Sequence, residues 1–106
     1  MEARNLVGLA IILSLAGSPA LAQHAGPSFM DAMKKMEKDM PKSHSGNTDV
    51  DFAKMMIPHH QAAIDMAKIE VQSGKDPMLK KMAEKMIKDQ EKEVADLKDW
   101  LAKNSK

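Results

Sequence analysis

The sequence predicts an all-α protein: an antiparallel helical hairpin preceded by one short helix. In its second half, apolar side chains recur at intervals of three and four residues, as they do along one face of a helix. No stretch alternates apolar with polar side chains and β-branched residues are few, so strands are not expected. The two longest helical patterns are separated only by Ser73 to Lys75, and so short a connection places two helices side by side in opposite directions.

The first 22 residues have the features of a secretory signal peptide. Arg4 gives a charged start, an apolar run extends from Leu6 to Ala16, and Ala20-Leu21-Ala22 has the small-x-small pattern that signal peptidase recognises. The alternative is a retained anchor, but the run is shorter than the ~20 residues that a spanning helix needs. We therefore expect cleavage before Gln23, a periplasmic or secreted protein, and no membrane span after cleavage.

Residues 23–48 are expected to form a mobile polar tail, one short helix and a loop. The tail includes His24, and the helix runs from about Phe29 to Met40, where Pro41 stops it. The loop that follows has turn-forming composition and carries His44. We interpret the apolar stripe of the short helix as core or as a dimer face, and it consists of Phe29, Met33, Met36 and Met40.

Residues 49–104 form the predicted hairpin domain. Its first helix begins near Asp49, with Thr48 or Asp49 as the cap, and runs to Gln72 before Ser73-Gly74. The next helix starts after Asp76, with a proline in its first turn, and continues to about Ala102. One side of this helix is apolar and comprises Leu79, Met82, Ala83, Met86, Ile87, Val94, Leu97, Trp100 and Leu101.

Two polar residues, Gln90 and Glu93, interrupt that apolar side. A buried polar group without a hydrogen-bond partner costs ~1–3 kcal/mol. Each residue therefore needs a partner inside the hairpin or a position at the edge of the stripe. We favour the edge position, where both side chains reach water, over a role as metal ligands.

A thirteen-residue segment that begins at Met55, MMIPHHQAAIDMA, combines three methionines with two adjacent histidines. Met55 precedes His59 by four residues, and Met56 precedes His60 by four. Side chains at this spacing lie one above the other on a helix, so each pair can converge on one ion. Pro58 removes a backbone hydrogen bond, and we expect it to bend the helix beside the imidazoles.

The types of side chain indicate which metal would bind. Thioether sulfur is soft and, together with imidazole, suits Cu(I) and Ag(I), and less well Cu(II), but offers little to Mg²⁺, Ca²⁺ or Mn²⁺. The chain has 11 methionines and no cysteine, and a metal site outside the cell cannot rely on free thiolates without risking their oxidation. The candidate copper ligands are His59, His60, Met55, Met56 and Met66 on the second helix and Met82 and Met86 on the third.

The alternative is that methionine simply fills a helical core, where it is a flexible gap-filler. That interpretation fits the paired histidines poorly, because adjacent side chains on a helix point about 100° apart and both imidazoles cannot face one apolar surface. Catalysis is not expected, since no nucleophile is spaced with a base and the Glu-x-x-His pairs of di-iron bundles are absent. The net charge of +1, with both signs interspersed, gives no indication of nucleic-acid binding.

Two stretches carry a resemblance to a known family. The first comprises Asp49, Phe52, Met56, Ile57, Pro58, His59, His60, Gln61, Ala63, Ile64, Met66 and Ala67. The second comprises Ala83, Ile87, Gln90, Glu93 and Trp100. In this pattern the chain resembles the domain of unknown function 305 family, exported helical proteins of the ferritin-like four-helix-bundle class. The resemblance implies copper binding by His59, His60 and neighbouring methionines.

Larger members of that family carry two hairpins in one chain, whereas this chain has one hairpin and a methionine-rich helix. We therefore expect a homodimer to complete the four-helix bundle. The expected function is that of a periplasmic copper chaperone or buffer, which sequesters Cu(I) for tolerance or for exchange with a copper-donor or copper-acceptor protein. The second interpretation is a non-enzymatic helical interaction module with a methionine-rich core and incidental metal binding.

Overall fold

The computed structural model describes residues 26 and 28–105 of the chain. In that part it contains three α-helices and no strand: α1 (Phe29–Asp39), α2 (Thr48–Ser73) and α3 (Pro77–Asn104). The prediction of an all-α fold is confirmed for these residues. The predicted signal peptide of residues 1–22 and the tail histidine, His24, lie outside the described residues.

The start of α1 is fixed by a reciprocal cap. The Ser28 hydroxyl accepts a hydrogen bond from the Asp31 backbone N–H at 3.2 Å, and the Asp31 carboxylate accepts one from the Ser28 backbone N–H at 3.0 Å. These bonds from Ser28 hold the pKa of Asp31 below its ordinary value. The cap therefore stabilises the helix above the ordinary carboxyl pKa and is lost as the pH falls through the lowered one. The helix ends at Asp39, one residue before the predicted end, and Met40 is its C-cap.

The start of α2 corrects a sequence prediction. Its N-cap is Asn47, whose side-chain oxygen accepts a hydrogen bond from the Val50 N–H at 3.1 Å, and not Thr48 or Asp49. The preceding residue, Gly46, has a φ of 87°, a left-handed conformation that glycine adopts without steric cost. This turn redirects the backbone so that the side-chain oxygen of Asn47 reaches the first turn of α2.

Replacing Asn47 with alanine should remove this cap and destabilise the protein by about 1 kcal/mol. Asn47→Ser is the matched control, because a serine hydroxyl can accept the same bond and should retain most of the stability. Urea denaturation followed by circular dichroism measures both variants. Equal free energies of unfolding for the two would show that the cap contributes nothing.

The hairpin forms as predicted. A short connection, Gly74 to Asp76, joins α2 to α3, and the Asp76 carboxylate caps α3 by accepting from the Leu79 N–H at 2.9 Å. Pro77 occupies the first helical position, where its missing N–H has no partner to lose. The short helix α1 packs against α2 and runs antiparallel to it, so that the start of α1 lies near the end of α2. Within α2 the helix continues through Pro58 without interruption.

The core is built from small side chains. The buried apolar residues in the described part are Ala32, Val50, Ala53, Pro58, Ala62, Ile64, Ala67, Ala83 and Val94. None of the ten methionines in residues 28–105 is buried. Small residues let helix backbones approach closely, and longer side chains then extend from the margins of the contact. Within the described part of a single chain, the core is therefore not the methionine-rich one of the second interpretation.

The apolar stripes predicted for α1 and α3 are corrected for the same reason, because small side chains occupy the contacts between helices. On α1 the buried residue is Ala32, while Phe29 and Met33 are exposed and Met36 and Met40 are half-buried. On α3 only Ala83 and Val94 are buried, and the larger apolar residues of the predicted stripe are half-buried or exposed. The reason is that α3 packs against one helix, α2, and so one narrow strip of its surface is covered. No helix in the described part of the chain has the combined length and apolar character to cross a membrane.

Candidate metal site

One predicted ligand pair, Met56 and His60, lies where α2 meets α3. Both residues are half-buried, and both line an open groove of about 240 Å³ between the two helices. The one-turn spacing on α2 places them on the same side of the helix. The other residues that line the groove are Phe52, Glu93, Asp96 and Leu97.

The most specific contact in the groove joins His60 to Glu93. The imidazole Nε2 lies 2.5 Å from the carboxylate Oε2 across the hairpin, and the His60 side chain is 15% exposed against 57% for Glu93. The second ring nitrogen of His60, Nδ1, is buried and has no hydrogen-bond partner in the described part of the protein. The two nitrogens of this imidazole are therefore distinct: Nε2 is engaged by a carboxylate, while Nδ1 is unengaged.

The structure changes the interpretation of the two polar residues on α3. Glu93 lies at the exposed edge, as expected, but its carboxylate is held by His60 as well as being open to water. Gln90 is half-buried, and its side-chain oxygen is enclosed without a partner among the described residues, so the expectation that it reaches water through that atom is wrong. Sequence reasoning considered Glu93 but did not connect it to His60. The signal that could have connected them is the antiparallel register of the hairpin.

The second predicted pair, Met55 and His59, lies apart from this groove. Both residues are exposed. His59 falls seven residues after Phe52 and seven before Met66, so the three share one side of α2. Adjacent histidines thus point to different places: His60 points into the groove with α3, while His59 projects from the open side of α2.

Met55 also borders the loop between α1 and α2. Together with His44 and Asp51 it lines a small cavity of about 90 Å³, and His44 Nδ1 lies 3.9 Å from the Asp51 carboxylate. A backbone hydrogen bond from Ser45 N–H, at 2.9 Å, holds the pKa of Asp51 below its ordinary value and so keeps it ionised. The sequence did not indicate that His44 comes near Met55, because a loop has no periodicity that would place its side chains.

The remaining candidates, Met66, Met82 and Met86, lie farther toward the hairpin turn. At 1.5 Å per residue, Met86 is about 10 Å from Glu93 along α3, and Met82 about 16 Å. Met66 is about 9 Å beyond His60 along α2, at a level similar to that of Met86. Met66 is half-buried, whereas Met82 and Met86 are exposed. The seven predicted ligands therefore do not form one site but are distributed along the hairpin.

Among residues 28–105, no three histidine, aspartate or glutamate side chains are grouped as a metal centre. This part of the structure does bring together two pairs of side chains. The Met56 thioether and the His60 imidazole line one groove, and the His60 imidazole contacts the Glu93 carboxylate across the hairpin. Sulfur and nitrogen donors of this kind suit a soft cation.

The architecture thus defines a class, a small helical hairpin protein whose methionines and histidines lie at the surface and in a groove between its two long helices. The chain belongs to the family described as domain of unknown function (DUF305), whose model matches residues 13–101. This match confirms the family that the sequence pattern predicted. No curated protein matches the chain.

Proposed function

We propose that this protein is an exported, non-enzymatic copper-binding protein that takes up Cu(I) as a buffer or chaperone. The observation that supports the proposal best is that Met56 and His60 line the same groove between α2 and α3. A thioether and an imidazole one turn apart supply two donors that suit Cu(I) and, as a chemical analogue, Ag(I). Cu(II) is accommodated less well by the sulfur.

The position of the methionines also supports this function. A methionine that only fills space belongs in the interior, where its flexibility closes gaps in packing. In the described part of this protein the interior is made of alanine, valine, isoleucine and one proline, and every methionine retains contact with solvent. Thioethers in such positions are available to an incoming ion without disturbance of the core.

Glu93 gives His60 a property typical of metal-binding histidines. A ligating imidazole usually donates its other N–H to a carboxylate, which fixes the ring orientation and makes the free nitrogen a better donor. We place the ring proton on Nε2, which lies 2.5 Å from the Glu93 carboxylate, and this assignment leaves the lone pair on Nδ1, an enclosed nitrogen with no hydrogen-bond partner among the described residues. We therefore assign His60 as a copper ligand and Glu93 as the residue that positions it.

The direct test is an anaerobic competition titration of the purified protein with a chromophoric Cu(I) chelator. The protein should withdraw Cu(I) from the chelator, and the same experiment with Zn²⁺ or Mg²⁺ and suitable indicators should show much weaker binding. Mass spectrometry under non-denaturing conditions gives the number of ions bound. If the protein leaves the chelator fully loaded with Cu(I), the proposal fails.

Replacement of Glu93 with alanine should weaken Cu(I) binding by a factor of about 10–100, the range typical for loss of a residue that orients a metal ligand. Glu91→Ala is the matched control, since Glu91 is also an exposed glutamate on α3 but does not line the groove. Both variants carry the same change of charge. Equal affinities for the two would show that Glu93 acts only through its charge or not at all.

A second candidate function is a helical interaction module. It is favoured by the exposed large apolar side chains on the hairpin, Phe52, Leu79 and Trp100 among them. In this version the exposed surface, and not a methionine-rich core, would make the contact. The Cu(I) titration separates the two functions, because an interaction module requires no affinity for the metal.

Localisation outside the cytoplasm is part of the proposal, and it is supported by the signal-peptide pattern of residues 1–22. Intact-mass measurement of protein recovered from the periplasm or medium tests it. The expected N-terminal residue is Gln23. Recovery of the uncleaved chain from the membrane fraction would contradict export in soluble form.

A further inference from the structure

One side of the α2–α3 hairpin carries several exposed apolar side chains, and we call this side the open face. On α3, Met82, Met86 and Trp100 are spaced so that all share the side of the helix that bears Glu93. On α2, Phe52 lines the groove in which Glu93 also lies, so the two helices contribute to the same face. The exposed fractions are Phe52 60%, Met55 43%, Leu79 47%, Met82 53%, Met86 40% and Trp100 36%.

The short helix α1 does not cover this face. Its residues Lys35 and Asp39 line a cavity with Pro58 and Gln61, which lie on the opposite side of α2 from Phe52. Nearer its start, α1 borders the last turns of α2 on that same opposite side. The hairpin is therefore covered on one side by α1 and open on the other.

The size of the open face suits a stable pair of chains. A fully exposed side chain of this size presents on the order of 200 Å², so these six residues together present roughly 550 Å² of surface. That is near the upper end of the largest apolar patch on a typical monomer, ~300–600 Å². Adding His59 and the half-buried Met56, Met66 and Leu97 beside them brings the face close to the ~800 Å² per partner of a standard interface.

We infer that the open face binds a second copy of this chain, so that two hairpins form a four-helix bundle about a two-fold axis. A two-fold interface uses the same patch on both copies, and packing hairpin on hairpin sets α2 of one beside α3 of the other. The acidic side chains at the edge of this face already have partners within the chain: Glu93 contacts His60, and Asp96 pairs with Lys92 at 2.7 Å. A second copy can therefore pack against the face without leaving these carboxylates unpaired. This inference does not depend on copper binding.

The test is sedimentation equilibrium of the metal-free protein at about 1–100 µM in the presence of a chelator. The protein is produced from the full chain, and its N-terminus is established by intact-mass measurement. A dimer mass that dissociates on dilution is expected. Trp100 is the only tryptophan, so its fluorescence reports on this face alone. Its emission should shift to longer wavelength as the dimer dissociates. A monomer at every concentration, whether the face is left bare or is covered by the chain's own N-terminal residues, would overturn the inference.

Two variants place a charge on the open face at opposite ends of α3, Leu79→Lys and Trp100→Lys. Each should raise the dimer dissociation constant at least about tenfold. Met30→Lys is the matched control, because Met30 is 65% exposed on α1, away from this face, and it should leave the dissociation constant unchanged. If one lysine variant fails to fold by circular dichroism, the other decides. A dimer that persists in a folded lysine variant, or that dissociates equally in the control, would place the interface elsewhere and overturn the inference.

Discussion

Replacing His60 with alanine should weaken Cu(I) binding by a factor of about 100 or more, since loss of a ligand costs at least as much as loss of the residue that orients it. His59→Ala should have a smaller effect, because His59 lies on the open side of α2 with Met55 and away from the groove. Helicity should stay near that of the wild type in both, because alanine is the best helix former.

The measurement is the anaerobic chelator competition described above, carried out on the two single variants and on the double variant. The double variant should lose the most affinity, and what remains would measure binding by methionines alone. Unchanged Cu(I) affinity in the double variant would remove both histidines from the site. The interaction module would then be the better account of the protein.

Replacing Ile64 with alanine should destabilise the fold by about 2–5 kcal/mol, the range for truncating a buried isoleucine. Ile64 is 3% exposed, and the rest of the buried core consists of alanine, valine and one proline. A domain of this size has a total stability of about 5–15 kcal/mol, so the loss is a large part of it. Partial unfolding at moderate temperature is the expected consequence.

Urea denaturation measures the loss, and Ile69→Ala is the control on the same helix. Ile69 is half-buried, so its truncation removes less buried surface and leaves a smaller cavity. Comparable losses of stability at the two positions would mean that Ile64 has no special place in the packing of α2. Copper affinity should be measured on the folded fraction, so that instability is not mistaken for loss of a ligand.

The helices themselves could be predicted from the sequence because their signals are local. Periodicity, Pro77 at the start of α3 and the Ser73-Gly74 break placed each boundary within two residues of the structure. The cap of α2 was placed one or two residues too late because Asn47 and Thr48 are both good capping residues. The conformation of Gly46, which decides between them, is set by the path of the loop.

Burial was predicted less well because periodicity identifies an apolar side but not the strip of it that a neighbouring helix covers. On α3 the sequence predicts a wide apolar arc, but only Ala83 and Val94 of that arc are buried by the contact with α2. Small residues occupy the contact between the helices because they allow the closest approach of the two backbones. The methionines of the arc are left at its margins.

The candidate site was predicted in its residue types but not in its arrangement. That His59 and His60 point apart follows from the helix, yet which one faces α3 depends on how the helices pack. The bond between His60 and Glu93 joins residues 33 positions apart, and no local pattern reports such a contact. The spread of methionines along the hairpin became clear only from the register of α2 and α3.

The alanine-rich interior has a consequence for chemical damage. Conversion of methionine to its sulfoxide makes an apolar side chain polar and disrupts cores that depend on it. Here every methionine of residues 28–105 retains contact with solvent, and the buried side chains have no sulfur to oxidise. In a single chain, oxidants would therefore meet the thioethers at the surface first, where sulfoxide reductases can also reach them, and the three helices would stay packed while the side chains are repaired.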